Sequence, residues 1–234
     1  MCNTGVSMTP LIDGTVYHFE WRGLYDGVSI LMDRETGSIW NHITGIAMDG
    51  PLAGAAMPVA NLLHLSVDQT LSLYPDIAVA LSDRPIRGNP GRWSPWVTRL
   101  PVLGERFRTT MAPEDTRLPT MEVGIGIWTD RVSRFYTMDR IMDAGRVVLD
   151  HLDGRRVAVF FEPGARALSA FYVDATSGEW DGDVLRFDSG QFVERGVLYE
   201  ASGSRANIER PLQLFTRWYG YALTFPETEI WEGE

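Results

Sequence analysis

VSILMDRETGSIW, residues 28–40, reads as strand, turn, strand. Its two apolar runs flank Asp33, whose carboxylate can cap a turn, and Gly37, which takes the positive φ of a tight reversal. The same grammar recurs along the chain. RVVLDHLDGRRVAVFF (146–161) predicts a hairpin turning at Asp153-Gly154 and leading into a buried strand. DGTVYHFEW (13–21) alternates Val16 and His18 with Tyr17 and Phe19 on opposite faces of an extended segment. Helical spacing is rarer. ANLLHLSVDQTLSLYP (60–75) carries Leu62, Leu65, Leu71 and Leu73 up to Pro75, and MDRIMDAG (138–145) predicts a short helix stopped by Gly145. The expected fold class is mainly β, a β-rich α+β chain with few short helices.

An internal repeat refines that expectation. DGTVYHF (13–19) and DGDVLRF (181–187) share the frame D-G-x-V-x-x-F. TGS (36–38) and PL (51–52) follow the first, SGS (202–204) and PL (211–212) the second, and the copies close on YPD (74–76) and FPE (225–227). This order predicts two related β-rich halves in a pseudo-two-fold arrangement. The first repeat would span 1–82, without its front strands, and the second 121–234. Between them, 83–120 holds six of the thirteen prolines, with Trp93 and Trp96 interleaved. Proline removes ladder donors, so this segment reads as a connector or an ordered loop covering a site.

Composition removes whole classes of chemistry. The 234 residues include 31 acidic and 21 basic side chains, a formal charge of −10, which disfavours nucleic acid and anionic membrane as partners. All 21 basic residues are arginine. Without lysine, Schiff-base catalysis, a phosphate-loop lysine and Ser–Lys nucleophile pairs are excluded, because arginine stays protonated. Cys2 is the only cysteine, so no intrachain disulfide or multi-thiolate zinc site can form. No apolar run approaches the ~20 residues of a membrane helix, and MCNTGVSM lacks the charged-then-apolar pattern of a signal peptide. As written, the chain reads as soluble and without a membrane span.

YDGVSILMDRETGSIWNHITGIAMDGPLAG (25–54) resembles the signature block of the bacterial domain of unknown function 3179 family, in which a strand enters an Asp-Arg-Glu-Thr-x-Ser-x-Trp turn. DTRLPTMEVGIGI (115–127), VVLDHLDGRRVAVFFEPGARALSAF (147–171) and FTRWYGYALTFPETEIW (215–231) are similar to its second half. CNTGVSM (2–8) resembles the end of the family's Tyr-Cys-Pro-x-Cys-x-Thr stretch, with Met1 at the variable position. The resemblance implies an N-terminally shortened member, or one with a misassigned start, of a family in which exported or lipid-anchored N-termini are common. It implies a fold and candidate positions but no reaction.

The sharpest local constellation is Asp33, Arg34, Glu35, Trp40, Asn41 and His42. Turn geometry can project Asp33, Glu35 and His42 toward one mouth, as catalytic acid–base groups or ligands of a divalent metal, with Trp40 as an apolar wall. Arg34, Trp40, Asn41 and Trp93 are the matching ligand-binding candidates. His18 and His42 with Asp33 form a second metal option. Cys2 is a redox or metal candidate only if a longer form restores a Cys-x-x-Cys pair. Trp218, Tyr219 and Tyr221 either line a binding groove or fill the contact between the halves. The leading reading is a small-ligand or metal binding module with its site in the first repeat and no cofactor required by the sequence. Its rivals are a hydrolase using Asp33, Glu35 and His42, and redox or metal handling through the cysteine stretch.

Overall fold

The computed structural model describes residues 5–79, 83, 103–111, 113–207 and 209–233. It opens with β1 (Val6–Met8), a two-residue hairpin of β2 (Leu11–Ile12) and β3 (Thr15–Val16), and a meander of β4 (Phe19–Tyr25), β5 (Val28–Asp33), β6 (Ile39–Asn41) and β7 (Ala47–Asp49). β8 (Val59–Asn61) then returns to pair antiparallel with β1, and α1 (Val67–Leu73) follows. A second run begins with α2 (Glu105–Arg108), the β9 (Val123–Trp128) and β10 (Ser133–Thr137) hairpin, and α3 (Met138–Asp143). Next come the three-stranded sheet of β11 (Val147–Leu152), β12 (Arg155–Glu162) and β13 (Ala167–Tyr172), and a meander of β14 (Gly178–Asp181), β15 (Val184–Phe187), β16 (Phe192–Glu194) and β17 (Val197–Tyr199). β18 (Leu212–Arg217) pairs with β9, α4 (Trp218–Thr224) follows directly, and β19 (Glu229–Ile230) runs parallel to β10. The mainly β expectation holds. No helix among the described residues is long and apolar enough to cross a membrane.

Turn chemistry explains the two hairpins that organise these sheets. Asp26 and Gly27 (φ 50 and 71) close β4 onto β5, and Asp153 and Gly154 (φ 52 and 78) close β11 onto β12. Positive φ at both positions matches the strand twist. The 60–75 helix is corrected to a shorter one. Residues 59–61 are a strand, and α1 starts only after its N-cap Ser66, whose side chain accepts from Gln69 N in a capping box.

Most of the core belongs to the second run. β12, apolar from Val157 to Phe161, pairs with β11 and β13 and packs toward β9 and α3 on one face and the β14–β17 meander on the other. The first sheet has a smaller core around Trp40, Ala47 and Met57. It docks onto the second run through Val28 and Ile43, which join Trp128, Phe135, Leu214, Trp218 and Tyr221. Trp218 and Tyr221 are thus core rings rather than a stacking platform. Tyr221 also accounts for the second glycine of VGIGI, since a Cβ at Gly126 would sit 1.9–2.3 Å from its ring, while one at Gly124 would meet Tyr136 O at 2.3 Å and the Phe135 ring at 2.6 Å.

Candidate functional site

The signature block folds into a closed turn. At the end of β5, Asp33 Oδ1 accepts from Thr36 N (2.6 Å) and Thr36 Oγ1 (2.8 Å). Its Oδ2 accepts from Trp40 Nε1 (2.8 Å) and Thr36 Oγ1 (3.0 Å). Gly37 N donates to Asp33 O (3.1 Å), and Ser38 Oγ accepts from Leu52 N (3.1 Å), which ties the Gly-Pro-Leu-Ala-Gly loop to the turn. Asp33 is 0% exposed. Burial alone would raise its carboxyl, but the Trp40 indole N–H and the Thr36 donors outweigh that and hold it below the ordinary carboxylate range. An ionised carboxylate with both oxygens engaged inside a turn is a fastener.

The neighbouring candidates separate from it. Glu35 turns to His18, accepting from its backbone N (2.9 Å) and meeting its Nδ1 (2.7 Å). The His18 backbone donor, then its side chain, holds Glu35 below its ordinary value. Arg34 lies on the surface, 3.9 Å from Glu20. Trp40 is fully buried, edge-to-face with Phe19 at 5.6 Å. Asn41 accepts from Ile43 N (2.8 Å) and Thr44 N (3.1 Å) and so shapes the next turn. The structure therefore does not bring Asp33, Glu35 and His42 to one mouth, and His18 pairs with Glu35 rather than joining His42. No group of three His, Cys, Asp or Glu residues among the described residues could hold a metal ion. Cys2 and Trp93 lie outside the described residues.

Of the three acid–base candidates, His42 lines a cleft. The cleft, about 280 Å³, lies between the β4–β5 hairpin and the start of α4. Trp21, Leu24, Val28, Ser29, His42 and Ile43 line one wall, and Phe107 of α2 with Thr216, Tyr219 and Gly220 lines the other. Phe107 and Tyr219 meet edge-to-face at 5.7 Å. Trp21, 67% exposed, stands at the edge strand β4, where the register shifts between Trp21 and Gly23. Half-buried His42 places Nδ1 2.6 Å from Ser29 O. A carbonyl only accepts, so Nδ1 carries the proton and Nε2 keeps its lone pair. Burial, partly offset by the Ser29 carbonyl, lowers the imidazole's pKa and keeps it neutral near pH 7.

Sequence reasoning reached His42 and named Tyr219 among the aromatic candidates, but it missed Trp21, Leu24, Phe107 and Thr216. The available signal was the aromatic start of α4, Trp218-Tyr219, whose two rings turn opposite ways: one into the core and one to the cleft. A second, more open depression of about 420 Å³ lies along Arg155, Arg156, Tyr172, Asp174 and Glu209. Its charges are largely engaged within the protein. Arg155 pairs with Glu209 at 3.0 Å and covers Tyr172 at 3.4 Å, while Arg156 donates to Ala175 O at 2.9 Å.

A family model described as protein of unknown function (DUF3179) matches residues 1–228. No curated protein and no solved structure matches the chain.

Proposed function

The chain belongs to the DUF3179 family of proteins of unknown function, and we propose from its own residues that it binds a small, mainly apolar ligand in the cleft beside His42. One observation carries this reading: a neutral imidazole, oriented by Ser29 O at 2.6 Å, sits in a cleft lined mainly by Trp21, Leu24, Val28, Ile43, Phe107 and Tyr219. A concave apolar surface with one oriented polar group is the usual composition of a small-molecule site. At about 280 Å³ the space is at the small end for such sites. The ligand class is a compact apolar body with one hydroxyl or amide donor for Nε2. Binding is favoured over hydrolysis because Asp33 and Glu35, the carboxylates an acid–base partnership would need, are committed to Thr36, Trp40 and His18.

The test is a screen of small aromatic alcohols and amides, followed by long-range imidazole NMR on a chain with only four histidines. Binding should shift His42 and quench Trp21 fluorescence, and His42→Phe should abolish both responses without unfolding the protein. Hits that bind while leaving His42 unmoved, or that bind His42→Phe equally well, would refute the assignment. So would a screen in which nothing perturbs His42.

A further inference from the structure

The helices α1 and α4 end in the same way, and the charges around the two ends differ. α1 stops at Tyr74 (φ −136, ψ 74) before Pro75-Asp76, and α4 at Phe225 (φ −127, ψ 75) before Pro226-Glu227. In each corner the aromatic carbonyl accepts from a backbone N–H three residues on, Ile77 in one and Thr228 in the other, both at 3.0 Å. The Phe225 corner is electrically balanced. Arg117 donates to Thr228 O (2.8 Å) and Pro226 O (3.1 Å), and Asp115 pairs with the same guanidinium at 2.6 Å.

The Tyr74 corner gathers arginines instead. Arg205 donates to Tyr74 Oη (3.2 Å) and Arg195 to Ser72 Oγ (3.1 Å). Arg210 lies beneath them, donating to Gly196 O and Ser169 Oγ, both at 3.1 Å, with its guanidinium 4.0 Å from the Phe171 ring. Among the described residues no carboxylate lies within ion-pairing distance of any of the three, Asp76 of the corner itself included. Burial, and then the charge of Arg205, push Arg210 down to about 10. Clustering guanidinium groups without a counter-charge is costly, more so where they are partly desolvated. It is unexpected in a chain of net charge −10, where carboxylates are plentiful. Arginine presents a planar fork suited to oxyanions, and the Tyr74 hydroxyl, which accepts from Arg205, retains its own proton to donate.

We propose that the Tyr74 corner is a binding site for a tetrahedral oxyanion, phosphate free or as the terminal group of a small phosphomonoester. Arg195, Arg205 and Tyr74 supply the donors, and Arg210 supplies positive potential from below. This site is separate from the His42 cleft and stands or falls on its own.

The test titrates the intact protein with inorganic phosphate, with phenyl phosphate and with chloride at matched ionic strength, read by calorimetry and by arginine side-chain NMR. Saturable phosphate binding is expected. Arg205→Gln or Arg195→Gln, both at exposed positions, should weaken it by about tenfold or more, the worth of one charge-assisted hydrogen bond. Arg117→Gln, in the balanced corner, should leave it unchanged. Tighter binding of phenyl phosphate would assign a phosphorylated molecule, and equal binding the free ion. A phosphate response no larger than that of chloride would overturn the proposal. Saturable binding that Arg205→Gln and Arg195→Gln both leave intact would overturn it equally.

Discussion

Replacing Asp33 with Asn isolates the fastening role of the signature turn. The wild-type carboxylate only accepts, and it faces one donor-only group on each oxygen, Thr36 N at 2.6 Å and Trp40 Nε1 at 2.8 Å, with the single Thr36 hydroxyl proton shared between the two oxygens at 2.8 and 3.0 Å. Asparagine keeps the shape but turns one acceptor into an NH₂ group, which must face either Trp40 N–H or Thr36 N–H. One charge-assisted bond is lost, and a buried donor is left opposing a donor. At ~1.5–3 kcal/mol for a hydrogen bond to a charged group, the change should cost about 2–4 kcal/mol once the remaining bond is weakened by loss of charge. Urea unfolding followed by Trp40-sensitive fluorescence measures it. The pH dependence supplies a second reading. The folded-state pKa is lowered below the ordinary 3.8, so the carboxylate's contribution is present above that value and is lost as pH falls through the folded one. The gap between wild type and Asp33→Asn should therefore be constant at neutral pH and narrow in acid. A gap under about 0.5 kcal/mol at pH 7, the size expected of an ordinary surface change, would show that the turn does not depend on this charge.

Three further outcomes follow from the packing. Glu162 is raised by burial, against the opposing donors of Gly164 N and Gln69, so its contribution is complete below the ordinary 4.5 and fades as pH rises through the folded value. Glu162→Gln should thus be the more stable protein at pH 8 and lose that advantage in acid; parallel stability–pH curves would refute this. Gly126→Ala places a methyl 1.9 Å from the Tyr221 ring and should cost about 1–3 kcal/mol or more by calorimetry, with near-neutral behaviour refuting the packing role. Gln213 accepts from Ala170 N (2.8 Å) and donates to Ala170 O (3.0 Å) and Pro211 O (3.2 Å), so Gln213→Leu should cost about 1–3 kcal/mol by stranding Ala170 N–H, measured by urea unfolding and by faster amide exchange at Ala170.

What was legible in the sequence was what depends on neighbours along the chain. Asp153-Gly154 announced its hairpin because positive φ at two successive residues is a local demand. The YPD and FPE steps correspond to alike helix ends for the same reason. The D-G-x-V-x-x-F frame was a poorer guide. In the first instance Asp13 and Gly14 are both turn residues (φ 48 and 78), between Ile12 and Thr15. In the second, Asp181 still pairs with Val184, and Gly182 (φ 62) is the first turn residue. The motif is shared while the turn register slips by one. The site was less legible because it depends on partners distant in sequence. Glu35 finds His18 because β4 and β5 pair Phe19 with Asp33, and no spacing within 33–42 contains that register. The cleft exists only because α4 arrives from residue 218 onward to face Ser29 and His42.

A deeper parallel between the two runs lies elsewhere, in the turns that follow their Asp-Gly hairpins. β5 ends at Asp33 and β12 at Glu162, both buried carboxylates. Each backbone carbonyl accepts from the N–H four residues on, Gly37 at 3.1 Å and Arg166 at 2.8 Å, and each of those residues has positive φ, 74 and 54. Each side chain also accepts a backbone N–H of its own turn, from Thr36 in one case and Gly164 in the other. The remaining donors differ. Thr36 Oγ1 and Trp40 satisfy Asp33 from within its own sheet, which keeps it charged. Glu162 takes a donor from Gln69 of α1, in the first run, while its Oε2 has no hydrogen-bond partner among the described residues. The extra methylene of glutamate lets the carboxyl reach α1 while still accepting from Gly164 N of its own turn, and burial without a full set of donors raises its pKa. One local device is thus used twice, once as a charged fastener within a sheet and once as a protonatable contact between the two runs. The second use is where a rise in pH should weaken this molecule.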